Sequence, residues 1–313
     1  DSFLKNPIVA FVGPTGIGKT ACVLALAAQI PEVELISVDA LLVYRGFDIG
    51  TAKPHLAART SVAHHMIDIC APDAQYTVSE YCETVKSVVN QVRARGGLPV
   101  LVGGSMMYVW ALVQGLSTLP PGDLEYRAQL ADQAASRGWP ALWAQLQRVD
   151  PSTAKRLSPN DQQRISRALE VIHQTGLPYS QAIEGARRGA IPLDIISLWP
   201  QSRAQLYARL DARFDQMLTD GLIEEVKLLY ARYPQLTPQR GAMCSVGYRQ
   251  VSGYLEGQLS YEAMCVQAKK ATRNLAKRQM TWMRRMNTQA FTIDDACFVA
   301  HLDRWNERVI ASK

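Results

Sequence analysis

The chain has 313 residues, 48% of them hydrophobic and 20% charged, with a net charge of +6, the balance of a soluble globular protein with enough chain for one large domain or a domain carrying a substantial insertion. No run of about 18 apolar residues occurs, which excludes a membrane-spanning helix, and Asp1–Pro7 lacks the basic start and apolar stretch of a secretory leader. The six cysteines (Cys22, Cys70, Cys82, Cys244, Cys265, Cys297) form no C-x-x-C pair; this argues against a zinc site or a disulfide framework and for a reducing cytoplasm, while the modest positive charge suits a polyanionic partner without requiring one.

Pro7–Val12 is an apolar run of buried-strand type, followed by a glycine-rich turn and then by Thr20–Ile30, rich in helix formers and stopped by Pro31. Leu35–Val38 reads as a second strand ending at Asp39. A helix is predicted over Val78–Arg95, capped by Thr77 or Ser79 and ended by Gly96 and Gly97. Pro99–Val102 is a third strand, and Gly103-Gly104-Ser105 opens another helix. From about Pro120 to Gly189 the pattern is purely helical, with a capping-box-like start at Asn160 and Gln163 and a stop at Gly176. Leu193–Trp199 is a strand again, so the helical stretch reads as an insertion between two strands of one sheet. Beyond Ser202 the chain is mostly helical and ends in a long basic helix over about Tyr261–Met286. No internal repeat or low-complexity segment occurs. The fold expected is α/β, a P-loop NTPase-like parallel sheet flanked by helices, with an inserted all-helical subdomain. The core would comprise residues 1–119 and 191–313, and the insert residues 120–190.

Gly13-Pro14-Thr15-Gly16-Ile17-Gly18-Lys19-Thr20 fits the pattern G-x-x-x-x-G-K-S/T between a predicted strand and a predicted helix, the context that motif requires. Its glycines let backbone N–H groups point inward as an anion cradle at a helix N-terminus. Lys19 adds positive charge, and the Thr20 hydroxyl can ligate Mg²⁺. The cradle recognises phosphate groups, not a base, so both ATP and a short prenyl diphosphate fit it.

The residues beyond the loop separate those two ligands. Leu35–Pro54, with Asp39-Ala40-Leu41-Leu42 and Gly50-Thr51-Ala52-Lys53-Pro54 inside it, resembles the signature of the tRNA dimethylallyltransferases, or tRNA isopentenyltransferases, of bacterial type. His64–Asp68, Leu101–Tyr108, Asn160–Val171, Val246–Gln250 and Ala271–Arg284 resemble further segments of the same family, in order and across nearly the whole chain. The resemblance implies transfer of a dimethylallyl group from its diphosphate to the exocyclic amine of the adenosine 3′ to the anticodon, in tRNAs reading codons that begin with U. It names Mg²⁺ as cofactor and the tRNA anticodon stem-loop and dimethylallyl diphosphate as partners.

An exocyclic adenine amine is a poor nucleophile, so the allylic diphosphate must ionise and the leaving diphosphate must be held as charge develops on it. Lys19, Thr20, the loop amides and Arg213 suit that task; Arg213 matches an Arg-Phe stretch of the family, its plain alternative being a solvated helix charge. By resemblance Asp39, at a strand end where open α/β sheets place ligands, accepts the amine proton. The alternatives for Asp39 are a helix N-cap or a Mg²⁺ contact. Ser105 can present its hydroxyl to diphosphate or base, or cap the next helix, and Thr15 has a similar claim. Met106, Met107 and Tyr108 would wall an apolar pocket or simply pack in the core.

For RNA, the resemblance points to Asp39, Ala40, Leu41 and Leu42, to Gln163, Arg164, Ile165, Ser166 and Arg167, and to Tyr248 and Arg249. Arg164 and Arg167 share a helix face, and Lys269, Arg273 and Lys277 recur every four residues, a stripe suited to phosphate contacts or to solvent. The target base must leave its stack to reach Asp39. Three departures stand out: Ala40 where serine is usual, Ser105 for threonine, and Cys244 where arginine is common. The chain ends without the zinc-finger extension of some eukaryotic relatives, and a monomer is expected. The competing readings are a P-loop kinase acting on a small molecule or nucleotide, and a non-catalytic RNA-binding protein on the same fold.

Overall fold

The computed structural model describes residues 6–117, 119–184, 187–293 and 297–311. Two compact units emerge, one of Asp1–Val113 with Ile191–Lys313 and the other of Gln114–Ala190.

In chain order the first unit begins with β1 (Ile8–Val12), α1 (Lys19–Gln29), β2 (Val33–Val38), α2 (Leu56–Ser61), β3 (His64–His65), α3 (Val78–Ala94), β4 (Leu98–Gly103) and α4 (Met106–Gln114). The second unit holds β5 (Leu116–Ser117), α5 (Leu124–Arg137), α6 (Trp139–Val149), α7 (Pro151–Ala154), α8 (Gln162–Thr175), α9 (Tyr179–Glu184) and β6 (Arg187–Arg188). The chain then returns to the first unit with β7 (Leu193–Pro200), α10 (Arg203–Thr219), α11 (Leu222–Arg232), α12 (Tyr248–Leu255), α13 (Tyr261–Met283), β8 (Gln289–Ile293) and α14 (Cys297–Ala311).

The main sheet has the order β3-β2-β4-β1-β7-β8, with every pair parallel. All five residues of β1 are buried, as its unbroken apolar run requires of a strand covered on both faces. One core lies on the sheet, where Val9, Phe11, Ile17, Leu26, Leu35, Val100, Ile196 and Leu198 meet Phe291 and Trp305. A second joins Val43, Tyr44 and Phe47 to Phe214, Val226, Met243, Tyr248 and Met264. The register sets the site: Val12 and Val38 both pair with Gly103, so β1, β2 and β4 end side by side. Gly13, Asp39 and Gly104 therefore leave the sheet from one edge.

In the second unit Leu130, Leu142, Leu146, Ile165, Ala168 and Leu169 form the core. The fully buried carboxylate of Glu170 takes Arg127 at 2.8 Å, Arg167 at 2.5 Å and the Asp123 amide. Burial opposes ionisation of Glu170, but these three donors hold its carboxyl below the usual range.

Several local expectations change. Arg187–Arg188 pairs antiparallel with Leu116–Ser117, so the stretch from Pro120 to Gly189 is not purely helical; two residues are too few to show a strand period. The N-cap of α8 is Asp161, which accepts the Arg164 amide, and not Asn160. Thr77, rather than Ser79, caps α3 in a capping box with Glu80. α13 ends at Met283, where Arg285 and Met286 continue only as a tight turn. β3 and β8 are sheet edges, the first two residues long and the second half exposed, so neither carries a clear apolar run.

Among the described residues no helix is long and apolar enough to cross a membrane.

Candidate active site

The phosphate loop runs from the end of β1 into α1, whose N-cap, Gly18, is left-handed at φ 102°. Lys19 donates from Nζ to the carbonyls of Gly13 and Pro14, both at 2.9 Å, and so closes the loop on itself. The Thr15 amide donates to Gln279 Oε1 at 2.9 Å. Thr20 is exposed at the helix start.

Asp39 follows β2. Its Oδ1 accepts the amides of Leu41 at 2.8 Å and Leu42 at 3.3 Å, which closes a turn; no helix starts there, so the N-cap alternative does not describe it. That use occupies one oxygen and aims the carboxylate, so closing the turn is compatible with proton acceptance. Ser105 Oγ accepts the Ala40 amide at 3.0 Å while the Ser105 amide donates to Val38 O at 3.1 Å. The serine thus grips the chain on either side of Asp39, and its hydroxyl proton stays available to a ligand.

Arg213, half buried on α10, feels the charge of Asp39, and Lys19 feels both. Burial pushes the Lys19 ammonium down to about 8; Asp39 raises it in opposition, and Arg213 lowers it further. Burial also lowers Arg213, and Asp39 partly restores it. Two cations held close together against a desolvation cost form a site prepared for an anion. Among the described residues no three His, Cys, Asp or Glu side chains are placed to hold a metal. A hard cation would therefore depend on the Thr20 hydroxyl and on oxygens of a bound diphosphate, a donor set that suits Mg²⁺.

The residues expected at RNA are placed differently from one another. Gln163 and Arg164 are exposed on α8, and Ser166 is half buried. Ile165 is fully buried in the core of the second unit. Arg167 is committed to Glu170 and to the Pro120 carbonyl. Ala40, Leu41 and Leu42 are half buried beside Asp39, and Arg249 is exposed. Tyr248 is fully buried, with its hydroxyl donating to Glu225 at 2.6 Å; its ring presents no surface to RNA, and the packed-aromatic alternative describes it. On α13, Lys269 pairs with Asp215 at 2.7 Å and Arg273 with Asp211 at 2.5 Å, whereas Lys277 is exposed. Two of the three residues of the expected basic stripe are thus neutralised by α10. Met106 and Tyr108 are buried, Tyr108 stacking on Tyr81 at 4.0 Å, and Met107 is exposed. Cys244 is exposed and bonds the Gly241 carbonyl.

Two segments marked by resemblance alone, Gly50–Pro54 and Val246–Gln250, meet each other. Gly50 lies against Tyr248: a Cβ at position 50 would sit 2.6 Å from the tyrosine ring. Glu225 accepts the amides of Asp48 at 3.1 Å, Ile49 at 2.7 Å and Gly50 at 3.3 Å, besides the Tyr248 hydroxyl. Nearby, the buried Lys53 ammonium bonds Asp48 at 2.6 Å, Asp68 at 2.5 Å and the Tyr44 carbonyl at 2.9 Å, and Arg59 adds to Asp68 at 2.6 Å. Ala52 and Asp68 are held at positive φ, 50° and 57°, a strain that such over-determined networks sustain. These residues brace the loop that leaves Asp39.

Gln279 was not singled out from the sequence. The signal was present: it stands three residues after the buried Ala276 and four before the buried Met283, a polar side chain on the inward face of α13.

The family model described as IPP transferase matches residues 42–286. The tRNA dimethylallyltransferase of Thiobacillus denitrificans is 47% identical over 280 residues, covering 89% of this chain and 88% of its own. That of Bordetella pertussis is 47% identical over 281 residues, covering 88% and 89%. Among solved structures, the tRNA isopentenylpyrophosphate transferase of Bacillus halodurans superposes with a TM-score of 0.70 at 34% identity, covering 98% of each chain. A eukaryotic dimethylallyltransferase acting on tRNA gives a TM-score of 0.76 at 26% identity, covering 94% of this chain and 75% of that one. With a family model spanning most of its length, close relatives over nine-tenths of it and an anion cradle set beside a carboxylate, this chain belongs to the IPP transferase family.

Proposed function

We propose that this transferase moves the dimethylallyl group of dimethylallyl diphosphate to the exocyclic amine of the adenosine 3′ to the anticodon, in tRNAs reading codons that begin with U, and releases diphosphate. The observation that carries the reading is the convergence of an anion cradle, two cations and one carboxylate where β1, β2 and β4 end together. Open α/β sheets bind ligands at that edge.

The donor's diphosphate lies in the loop Gly13–Thr20. Lys19, which in the free protein caps the Gly13 and Pro14 carbonyls, turns to the phosphate oxygens, and Arg213 faces them from α10. As the allylic C–O bond breaks, its electron pair leaves with the diphosphate and these cations stabilise the developing charge. The amine nitrogen forms the new C–N bond, and the proton it sheds passes to Asp39, whose Oδ1 is anchored by the Leu41 and Leu42 amides. An amine attacking a cation is already acidic, so the transfer of its proton needs little driving force. Ser105 holds Ala40 and keeps the Asp39 turn in register with β4. When bound, Mg²⁺ held by Thr20 supplies further neutralisation of the leaving diphosphate.

The RNA contacts proposed are phosphate contacts from the exposed Arg164, Arg249 and Lys277, with the target base unstacked to reach Asp39. The inserted unit, placed at residues 120–190 by the sequence, is proposed as a tRNA-binding element, and the protein as a cytoplasmic monomer. Incubation with labelled dimethylallyl diphosphate, Mg²⁺ and an anticodon stem-loop, followed by nucleoside analysis, tests the reading. Label on the adenosine 3′ to the anticodon is expected. No label on this RNA or on whole tRNA, with hydrolysis of ATP instead, would support a kinase and overturn the proposal.

A further inference from the structure

Gln279 joins three parts of the first unit that are remote in sequence. Its Oε1 accepts the Thr15 amide of the phosphate loop at 2.9 Å, and its Nε2 donates to the Gly104 carbonyl at 2.9 Å. Both bonds come from one carboxamide on α13. The fit leaves no spare room: a Cβ at Gly104 would lie 2.6 Å from Gln279 Nε2 and 3.1 Å from the Gly13 carbonyl. From Gly104 the connection to the carboxylate is one residue long, because Ser105 holds both Val38 and Ala40 on either side of Asp39. Gln279 therefore spans the gap between the part that would hold the leaving group and the part that would take the proton.

We propose that Gln279 is a positioning residue for the transfer reaction, setting the separation between the diphosphate cradle and Asp39; the inference rests on the function proposed above. Only a carboxamide of this length presents an acceptor and a donor together at these two points, since glutamate ionised offers acceptors alone and methionine offers neither. Lys19, Arg213 and the other loop amides do not depend on the bridge for their charge, so donor binding survives its loss. What is lost is alignment of the amine, the allylic carbon and Asp39, and small errors in such geometry cost large factors in rate.

The test uses the full chain with Gln279→Met and Gln279→Glu, assayed for kcat and for KM of both dimethylallyl diphosphate and the anticodon stem-loop. Gln279→Met is expected to lower kcat by roughly tenfold or more while each KM stays within about threefold. Gln279→Glu is expected to show a similar deficit near pH 8 that shrinks as pH falls toward about 5.5. The bound diphosphate raises this carboxyl above its ordinary value of about 4.3, and once protonated it again donates to the Gly104 carbonyl. The Gln279→Met deficit, relative to the unaltered chain, stays flat over the same range. An unchanged kcat in both variants would overturn the proposal. So would a loss confined to the KM for RNA, or a Gln279→Glu deficit independent of pH. Should thermal melting show that Gln279→Met does not fold, the pH course of Gln279→Glu decides alone. Absence of transfer by the unaltered chain is a separate result, which overturns the prenyl-transfer reading rather than the role of Gln279.

Discussion

At the scale of single residues the site is governed by the cost of holding charge out of water. Lys19 illustrates it: burial brings its ammonium down to about 8, against the pull of Asp39, and Arg213 adds to the depression. A diphosphate reverses the balance by favouring the charged amine. Affinity for inorganic pyrophosphate is therefore expected to be full below pH 8 and to weaken as pH rises through it, with proton uptake on binding. Calorimetry in buffers of differing ionisation enthalpy measures that uptake; pyrophosphate binding that is flat between about pH 7 and pH 9, with no proton exchanged, contradicts it. The placement of Lys19, Thr20 and Asp39 just beyond β1 and β2 was legible in the sequence, because a phosphate loop is a local motif and a strand-end carboxylate has a predictable place. Gln279 was not, because its two bonds reach residues 264 and 175 positions away. The burial of Tyr248 was likewise hidden, since nothing local announces Glu225 as its partner.

At the scale of elements, the loop after Asp39 and helix α13 are the parts where sequence pattern and structure diverge in meaning. Segments 50–54 and 246–250 read as functional marks, yet with the backbone amides of Asp48, Ile49 and Gly50, the Tyr248 hydroxyl and the Lys53 ammonium they form a brace around Glu225, Asp48 and Asp68. Lys53 is buried, but Asp48 is exposed and Asp68 keeps Arg59 as a partner, so Lys53→Met is expected to destabilise the fold by only about 1 kcal/mol. The acid limb reports the same brace. Burial alone would raise the Asp68 carboxyl, but Lys53 and Arg59 hold it below its ordinary value. Its folded pKa is lowered, so the stability it contributes is present above the unfolded carboxylate value and is lost as pH falls through the folded one. Thermal melts of the unaltered chain are thus expected to fall more steeply below about pH 4 than those of Lys53→Met; parallel acid limbs would show that the pair contributes nothing.

On α13 the fourfold spacing of Lys269, Arg273 and Lys277 predicted one stripe, but α10 supplies Asp215 and Asp211 to the first two. Sequence spacing cannot show which partner helix arrives with opposite charge. Lys277→Ala is accordingly expected to weaken stem-loop binding uniformly across sequences and to reduce the salt slope by about one, with the donor KM unchanged. Lys269→Ala is expected to have a smaller effect on the slope; equal slopes for both variants would mean that the ion pair with Asp215 does not withdraw Lys269 from RNA.

For the whole molecule, alternating strands and helices were enough to indicate a parallel sheet with ligands at its carboxyl edge, and β1, β2, β4 and β7 lie where apolar runs occur. The edge strands β3 and β8 escaped because an edge is short or half exposed and so lacks that run. The helical pattern of the second unit is visible in its sequence, whereas the fully buried Glu170 that ties α5 to α8 is not, because charge is rarely read as core. What no local pattern conveys is the register that ends three strands at one level and so sets the phosphate loop with Lys19 beside Asp39, or the packing of α10 that brings up Arg213.

The measurement that bears most directly on this arrangement is single-turnover transfer of labelled dimethylallyl diphosphate to the anticodon stem-loop by the unaltered chain and by Asp39→Asn, with pyrophosphate binding measured on both. Transfer by the first is expected, with a loss of about a hundredfold or more in the second and pyrophosphate affinity retained in both. Comparable rates in the two proteins would contradict the role assigned to Asp39.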